Sequence, residues 1–212
     1  MAIEAVIFDY GMVLSGTPDA GAGAEMMRIT GLGEKLFETN YWTDRHAYDE
    51  GKLNGISFWR KLVGDAGLSD RLGEAEIAEL NRQDARYWTV EDPSMIAWQK
   101  QLKELGMKTA ILSNMGDAVC ESITRSFDWI ENFDLCVWSY QLGIAKPAAE
   151  IFLHTLHQLH VAPENALFLD DKSENIAAAR AVGMLALQFS SVAQLRADML
   201  AAELNRELPL PE

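Results

Sequence analysis

The sequence contains little cysteine and no long apolar run. Its two cysteines, Cys120 and Cys136, have no partner at metal-ligand spacing, which predicts a reduced, cytoplasmic chain. No apolar run approaches the roughly 20 residues that cross a bilayer, so we expect no membrane span. The N-terminus enters an apolar run without a preceding basic segment, and we therefore expect no signal peptide.

Positive charge is also scarce. Lys and Arg number 18 against 32 Asp and Glu, which gives a formal net charge of -14. Proteins that bind nucleic acid usually present a basic face, so this composition argues against a nucleic-acid partner. An anionic ligand would need a few local cations, a helix N-terminus or a metal. The hydrophobic share of 49% is typical of a folded globular protein.

Five short apolar runs predict the strands of one sheet. They are almost continuously apolar rather than alternating, which is typical of parallel strands that are buried on both faces. Helical patterns separate the runs from the second one onward, so the sequence predicts an α/β fold with βαβ units. The runs are Ala5–Phe8, Thr109–Leu112, Leu135–Trp138, Leu167–Leu169 and Leu185–Phe189.

Two connecting helices have predicted ends. One pattern covers Ala148–His160, and Pro147 is expected at its first helical position. The other covers Glu174–Val182, with Ser173 as the expected N-cap and Gly183 as the stop. Both patterns place a helix directly after a segment that also carries polar residues.

A long connection separates the first strand from the second. It begins with the glycine-rich stretch SGTPDAGAGA, which suggests a flexible segment, and ends with VEDPS. We predict a helical insertion over residues 16–89, hinged at both ends, on a core formed by residues 1–15 and 90–212. The helical patterns inside the insertion are Glu25–Thr30, Glu34–Thr39, Ile56–Ala66 and Glu74–Tyr87.

Polar side chains follow three of the predicted strands. Asp9 comes after the first strand, Ser113 and Asn114 after the second, and Asp170 and Asp171 after the fourth. In an open parallel sheet, ligands bind beyond the carboxyl ends of the strands. We therefore expect these side chains to face one crevice.

Four motifs carry a family resemblance. The segments FDYG, LSN, KPAAEIF and LDDKSENI, in this order, resemble the motifs of the haloacid dehalogenase-like hydrolase superfamily, in a phosphatase-like branch with a DxG first motif. The helical insertion lies where the type-1 cap of that superfamily lies. The resemblance implies a Rossmann-like parallel sheet of order 3-2-1-4-5 with an inserted α-helical cap. It also implies Mg²⁺-dependent phosphoryl transfer through an aspartyl-phosphate.

The resemblance also implies roles for individual residues. One oxygen of Asp9 would bind the metal while the other attacks phosphorus. Asp170 offers a second hard oxygen of the kind that Mg²⁺ prefers, and the superfamily also uses the backbone carbonyl at position 11, here Gly11. Lys146 would offset the repulsion between the anionic nucleophile and the anionic phosphate.

The remaining candidates hold the substrate or support the metal. The Ser113 hydroxyl would hold phosphoryl oxygens, and Asn114 is a further substrate contact. Asp171 and Asn175 would orient the metal ligands without binding the metal themselves. From the cap segment YWTDRHAYDEG, Arg45 and His46 are candidates for substrate contact. Aromatic pairs at positions 41–42 and 87–88 could wall a pocket or fill the core of the cap.

Position 11 departs from the pattern of the superfamily. Its phosphatases usually carry an aspartate there, which protonates the leaving oxygen and later activates water, whereas this chain has Gly11. One interpretation keeps the phosphatase activity. Either the leaving group departs readily, or a cap residue such as Asp44, His46 or Asp49 supplies the proton.

Other interpretations stay open. Halide departure needs no proton, but dehalogenases of the superfamily need no metal and usually carry tyrosine at position 11. A carbon–phosphorus hydrolase has a small residue there and needs a cap lysine, for which Lys35, Lys52 and Lys61 are available. A non-catalytic protein that binds a phospho-ligand is a further alternative. We predict a Mg²⁺-dependent phosphatase for a small phosphorylated metabolite, for which the resemblance suggests a sugar phosphate.

Overall fold

Five parallel strands form the central sheet of the computed structural model, which describes residues 2–212. Their order across the sheet is 3-2-1-4-5, as the resemblance implies, so this prediction is confirmed. The first and third strands have the predicted bounds, and the other three differ from prediction only at their ends. The strands are β1 (Ala5–Phe8), β2 (Lys108–Ser113), β3 (Leu135–Trp138), β4 (Ala166–Asp170) and β5 (Leu185–Gln188).

Helices surround the sheet and fill the long connection. Within residues 2–212, no helix is long and apolar enough to cross a membrane. A tight turn over Tyr10–Leu14 follows β1 and leads the chain away from the sheet. The helices are α1 (Ala20–Thr30), α2 (Glu34–Thr43), α3 (Arg45–Asp49), α4 (Gly55–Asp65), α5 (Glu74–Tyr87), α6 (Pro93–Glu104), α7 (Asp117–Ser126), α8 (Ser139–Leu142), α9 (Ala149–Leu159), α10 (Ser173–Ala181) and α11 (Val192–Ala201).

Both faces of the sheet are covered, which explains the continuous apolar strands. In β1, Val6 and Phe8 pack against α6, α7 and α11 on one face. Ala5 and Ile7 pack against α9 and α10 on the other face. All residues of β1 are fully buried. Because successive side chains of a strand point to opposite faces, a strand between two helical layers needs apolar residues at every position.

The helices α1–α5 form the cap and have an apolar core of their own. Trp59 and Phe58 lie at its centre, fully buried, and Met26, Phe37 and Leu80 pack around them. The helix predicted at residues 74–87 is observed with the same bounds. The sequence patterns did not predict helix α3. The division of the chain at residues 16 and 89 stays a prediction.

The glycine-rich stretch is more ordered than predicted. Helix α1 begins inside it, at Ala20, because the Asp19 carboxylate caps the helix and accepts the N–H of Gly21 at 2.7 Å. An added Cβ at Gly23 would lie 3.1 Å from the ring of Tyr87 in α5. The small residues therefore serve the close packing of α1 against α5.

Two predictions about helix ends in the core are wrong and one is confirmed. Ser173 is the first residue of α10 rather than its N-cap; Lys172 occupies that position, and its N–H donates to Asp170 at 2.8 Å. Pro147 does not begin α9, which starts two residues later, and the peptide bond before this proline is cis. Gly183 follows α10 as predicted, with a φ of +96° that favours glycine.

The cap contacts the core through close backbone approaches. The fully buried ring of Tyr48 in α3 lies over Gly116, where an added Cβ would fall 2.1 Å from the ring carbons. The N–H of Gly55 in α4 donates to the Asp117 carboxylate at 2.9 Å. At Gly116 the φ of -82° is open to any residue, so packing against the cap, rather than the backbone, requires glycine there.

We expect Gly116→Ala to loosen this contact. The new Cβ would displace Tyr48, and overpacking of this kind costs about 1–3 kcal/mol of the free energy of unfolding. Gly33→Ala is the matched control, since Gly33 is also an N-cap in extended backbone but has no atom within 4 Å of an added Cβ. Urea denaturation measures both variants, and equal losses would contradict the packing argument.

Candidate active site

Four of the five predicted strand-end residues line one cavity at the carboxyl edge of the sheet, whereas Asp170 is fully buried and does not line it. The cavity has a volume of about 320 Å³, at the lower end of the range for ligand pockets. Residues of the cap line it as well, so its walls come from two parts of the chain. The core contributes Asp9, Gly11, Ser113, Asn114, Lys146, Asp171, Lys172 and Asn175, and the cap contributes Trp42, Arg45, Asp49 and Tyr87.

The side chain of Asp9 has one engaged oxygen and one open oxygen. Its Oδ1 accepts the N–H of Tyr10 at 2.7 Å and lies 2.9 Å from the ammonium of Lys146. The described residues donate no hydrogen bond to Oδ2. Because the start of the turn fixes the carboxylate through Oδ1, the second oxygen is left for a ligand.

Lys146 is a buried cation with a complete set of partners. Its Nζ lies 2.9 Å from Asp9 Oδ1 and donates to Asp170 Oδ2 at 2.7 Å and to the carbonyl of Leu112 at 2.8 Å. These acceptors use all the donors of an ammonium group. Burial lowers the pKa of Lys146, but the charges of Asp9 and Asp170 outweigh burial and raise the pKa above its ordinary value. Lys146 therefore stays charged and ties β1, β2 and β4 together.

The two acids at the end of β4 have different environments. Asp170 is fully buried, and its oxygens accept from Lys146 at 2.7 Å, from the Lys172 N–H at 2.8 Å and from Asn175 at 3.0 Å. Asp171 is half-buried and lines the cavity. The geometry thus favours the reverse of the sequence-based assignment, with Asp171 as the metal ligand and Asp170 as the residue that orients Lys146.

The carboxylates at the strand ends suit a divalent cation. Asp9, Asp170 and Asp171 each place one oxygen within 4.8 Å of the others. Burial raises the pKa of Asp9 to about 7, the charges of Asp170 and Asp171 add to this effect, and Lys146 opposes it. Burial and the charge of Asp170 also raise the pKa of Asp171. Hard oxygen donors in excess of the local positive charge are what Mg²⁺ prefers.

The amides of two asparagines position other residues of the site. The Asn114 Nδ2 donates to the carbonyl of Lys146 at 2.8 Å, and its Oδ1 accepts the Lys146 N–H at 2.8 Å. This pair of bonds favours a positioning role for Asn114 over the substrate contact that we expected. Asn175 holds both oxygens of Asp170 at 3.0 Å. Ser113 is buried and lines the cavity, and its role in holding a phosphoryl oxygen stays a prediction.

The structure brings one of the two predicted cap contacts to the cavity. Arg45 lines it, but its guanidinium is already engaged, by Asp84 at 3.0 Å and by Asp49 at 3.1 Å. His46 is not among the lining residues; its side chain is 66% exposed and lies 3.2 Å from Glu50. The structure therefore does not support substrate contact by His46.

The structure also distinguishes between the cap acids that could replace the missing acid at position 11. Asp49 lines the cavity, whereas Asp44 does not and lies 3.0 Å from Lys61. Burial raises the pKa of Asp49, although Arg45 and Lys172 act in the opposite direction. The backbone of Gly11 has φ -60° and ψ 126°, so it does not require glycine. Its carbonyl is available to a metal, but position 11 offers no proton donor.

Sequence reasoning missed Lys172. This lysine is exposed, lines the cavity, and forms no ion pair with the described residues. Its position directly after the acidic pair was the available signal. None of the cap lysines considered for carbon–phosphorus chemistry lines the cavity; these are Lys35, Lys52 and Lys61.

Comparison with known proteins identifies the family of the chain. A family model described as haloacid dehalogenase-like hydrolase matches residues 3–183. The chain belongs to this family. It is 41% identical over 221 residues to a D-ribitol-5-phosphate phosphatase of Bacteroides thetaiotaomicron, covering 93% of this chain and 97% of that protein. It is 27% identical over 189 residues to the sesquiterpene phosphatase astK of Aspergillus oryzae, covering 88% and 90%.

Solved structures of other proteins have the same fold. A haloacid dehalogenase family enzyme of B. thetaiotaomicron, in complex with magnesium and inorganic phosphate, aligns with a TM-score of 0.71 at 19% identity, covering 89% of this chain and 95% of that chain. The L-2-haloacid dehalogenase of Xanthobacter autotrophicus aligns with a TM-score of 0.65 at 20% identity, covering 96% and 82%. Within this haloacid dehalogenase-like fold, the residues of the site must therefore decide the reaction.

Matched variants can distinguish the roles of the two acids at the end of β4. We expect Asp171→Asn to weaken Mg²⁺ binding by at least ~10-fold, because mutation even of a residue that only hydrogen-bonds to a metal ligand typically lowers metal affinity by about that factor. Asp170→Asn should instead lower the free energy of unfolding by about 3 kcal/mol, because Lys146 loses a buried partner. Calorimetric Mg²⁺ titration and urea denaturation measure these effects. A stable Asp170→Asn variant that alone loses Mg²⁺ would contradict the reassignment.

Mg²⁺ binding should depend on pH through Asp9. Its pKa of about 7 lies above the ordinary 3.8, so metal-free folded protein keeps a proton that the unfolded chain has lost, and its stability falls as pH rises between these values. Mg²⁺ must displace that proton, so we expect roughly tenfold tighter binding at pH 8 than at pH 6. Asp9→Asn should bind weakly at both values. A wild type that binds Mg²⁺ with equal affinity at pH 6 and pH 8 would refute the assignment of Asp9 as a metal ligand.

Proposed function

We propose that this haloacid dehalogenase-like hydrolase is a Mg²⁺-dependent phosphatase for a small phosphorylated metabolite, with Asp9 as the nucleophile. The observation that carries the proposal is the open Oδ2 of Asp9 in a cavity whose other wall is the cap. Lys146 fixes Oδ1 of the same carboxylate at 2.9 Å. A carboxylate held in this way can attack phosphorus without turning away from it.

The chain's own residues supply the surroundings of the reaction. Asp9, the carbonyl of Gly11 and Asp171 would hold Mg²⁺, which would offset the charge of the phosphoryl oxygens. The Ser113 hydroxyl would donate a hydrogen bond to a phosphoryl oxygen, and Lys172 would attract the anionic substrate to the mouth of the cavity. Asp170 and Asn114 would keep Lys146 in place behind the nucleophile.

The phosphatase is favoured over the alternatives by particular observations. A dehalogenase of this family has no need of a carboxylate cluster, whereas three carboxylates converge here. A carbon–phosphorus hydrolase needs a cap lysine in the cavity, and the cavity lining includes none. The similar proteins described above are named as phosphatases of a ribitol phosphate and of a sesquiterpene, so polyol and isoprenoid phosphates are both substrates to test.

Asp9→Asn tests the proposal. We expect the wild type to hydrolyse members of a metabolite-phosphate panel with Mg²⁺ and to stop in EDTA. The variant keeps the shape of the side chain but lacks the attacking oxygen, so its kcat should fall by roughly 10³-fold or more. Beryllium fluoride should bind at Asp9 in a crystal structure of the wild type. Asp44→Asn, outside the cavity, is the control and should retain full activity.

A wild type that hydrolyses a haloacid in EDTA as fast as any phosphate would overturn the proposal. So would beryllium fluoride bound at another carboxylate.

A further inference from the structure

The proposed phosphatase has no proton donor at position 11, although its backbone could carry one. An added Cβ at Gly11 would meet the ring of Trp88 at an ordinary contact distance of 3.7 Å. The fold therefore does not require a residue without a side chain at position 11. An alcohol leaving group departs slowly as an alkoxide, so efficient hydrolysis of alkyl phosphates requires a proton from another group in the cavity.

We infer that Asp49, on the cap helix α3, is the general acid and base of this enzyme. This inference rests on the proposed function. Among the carboxylates that line the cavity, Asp9 is the proposed nucleophile and Asp171 the proposed metal ligand, which leaves Asp49 without another chemical role. Its side chain is 14% exposed, so it is sheltered from solvent and yet open to the cavity.

The position of Asp49 is fixed from both sides. Its Oδ1 accepts from the Arg45 Nε at 3.1 Å, and Arg45 is itself anchored by Asp84 at 3.0 Å. Its backbone carbonyl accepts the hydroxyl of Ser139, and that hydroxyl oxygen accepts the N–H of Met115 at 2.9 Å. Asp49 is thus linked to the segments that follow β2 and β3, at the cavity that contains Asp9. These bonds fix its position relative to the core.

The other oxygen of Asp49 is available for chemistry. Oδ2 accepts no hydrogen bond from the described residues. The charged groups that act on Asp49 are Arg45, Asp84 and Lys172. Burial raises the pKa of Asp49 above its ordinary value, and the charges of Arg45 and Lys172 oppose this rise. A group that must donate a proton in one step and accept one in the next needs this balance.

The proton transfers balance over the two steps. In the first, Asp9 Oδ2 bonds to phosphorus, the bond from phosphorus to the leaving oxygen breaks, and that oxygen takes the proton of Asp49. In the second, water attacks phosphorus, its proton passes to Asp49, and the bond between phosphorus and Asp9 breaks. Both residues then return to their starting states.

Leaving-group dependence tests the inference. The wild type, Asp49→Asn and Asp49→Glu are assayed with Mg²⁺ on 4-nitrophenyl phosphate, whose phenolate leaves without a proton, and on 2-phenylethyl phosphate. We expect Asp49→Asn to lower kcat on the alkyl ester by about 10²-fold or more and on the aryl ester by only a few-fold. Asp49→Glu should recover part of the loss on the alkyl ester. Asp44→Asn, a cap acid outside the cavity, should change neither.

A relocated acid provides a second arm. Gly11→Asp in the Asp49→Asn background places a carboxylate where the family usually has one, and we expect at least about tenfold recovery on the alkyl ester. Thermal unfolding with and without Mg²⁺ confirms that each variant is folded.

Equal losses on both esters in a folded Asp49→Asn variant would overturn the inference and leave the proposed function standing. An Asp49→Glu variant as slow as Asp49→Asn on the alkyl ester would overturn it too. A wild type that hydrolyses neither ester would overturn the proposed function itself.

Discussion

The buried ammonium of Lys146 is the interaction on which the rest of the site depends. It joins the carboxylates that follow β1 and end β4, at 2.9 Å from Asp9 and 2.7 Å from Asp170, and it also binds the carbonyl of Leu112 in β2. Removing one partner from such a buried ion pair costs several kcal/mol. A single ammonium cannot neutralise Asp9, Asp170 and also Asp171, so the strand ends retain excess negative charge, which a divalent cation would offset.

The cap contains a second ion network of the same type. Arg45 lies between Asp84 and Asp49, at 3.0 and 3.1 Å, with only 7% of its side chain exposed. In both networks one cation serves two carboxylates, and both networks reach the same cavity. Because these cations are engaged by the protein itself, we expect an anionic substrate to require an added cation and Lys172. This arrangement agrees with a chain whose formal net charge is -14.

The motif LDD illustrates why a sequence can identify a site without assigning its parts. Asp170 is the last residue of β4 and is fully buried, whereas Asp171 lies just beyond the end of the strand and is half-buried. Which one is buried depends on the register of β4 with β1 and on the position of Lys146, which lies on a distant segment. The sequence therefore predicted an acidic pair beside Asp9, while the paired role of Asp170 and the open position of Asp171 came from packing.

The fold and the family followed from the sequence alone, because each rests on local information. Continuous apolar runs predicted buried parallel strands, and four motifs in order identified the haloacid dehalogenase-like family. The contribution of the cap was decided by tertiary structure. Residues 45 and 49 share one side of α3 because they are four positions apart, and contacts between cap and core, among them that of Tyr48 with Gly116, hold that side toward the cavity. That contact joins residues far apart in the chain, so no local pattern could show that Asp49, rather than Asp44 or His46, reaches the site.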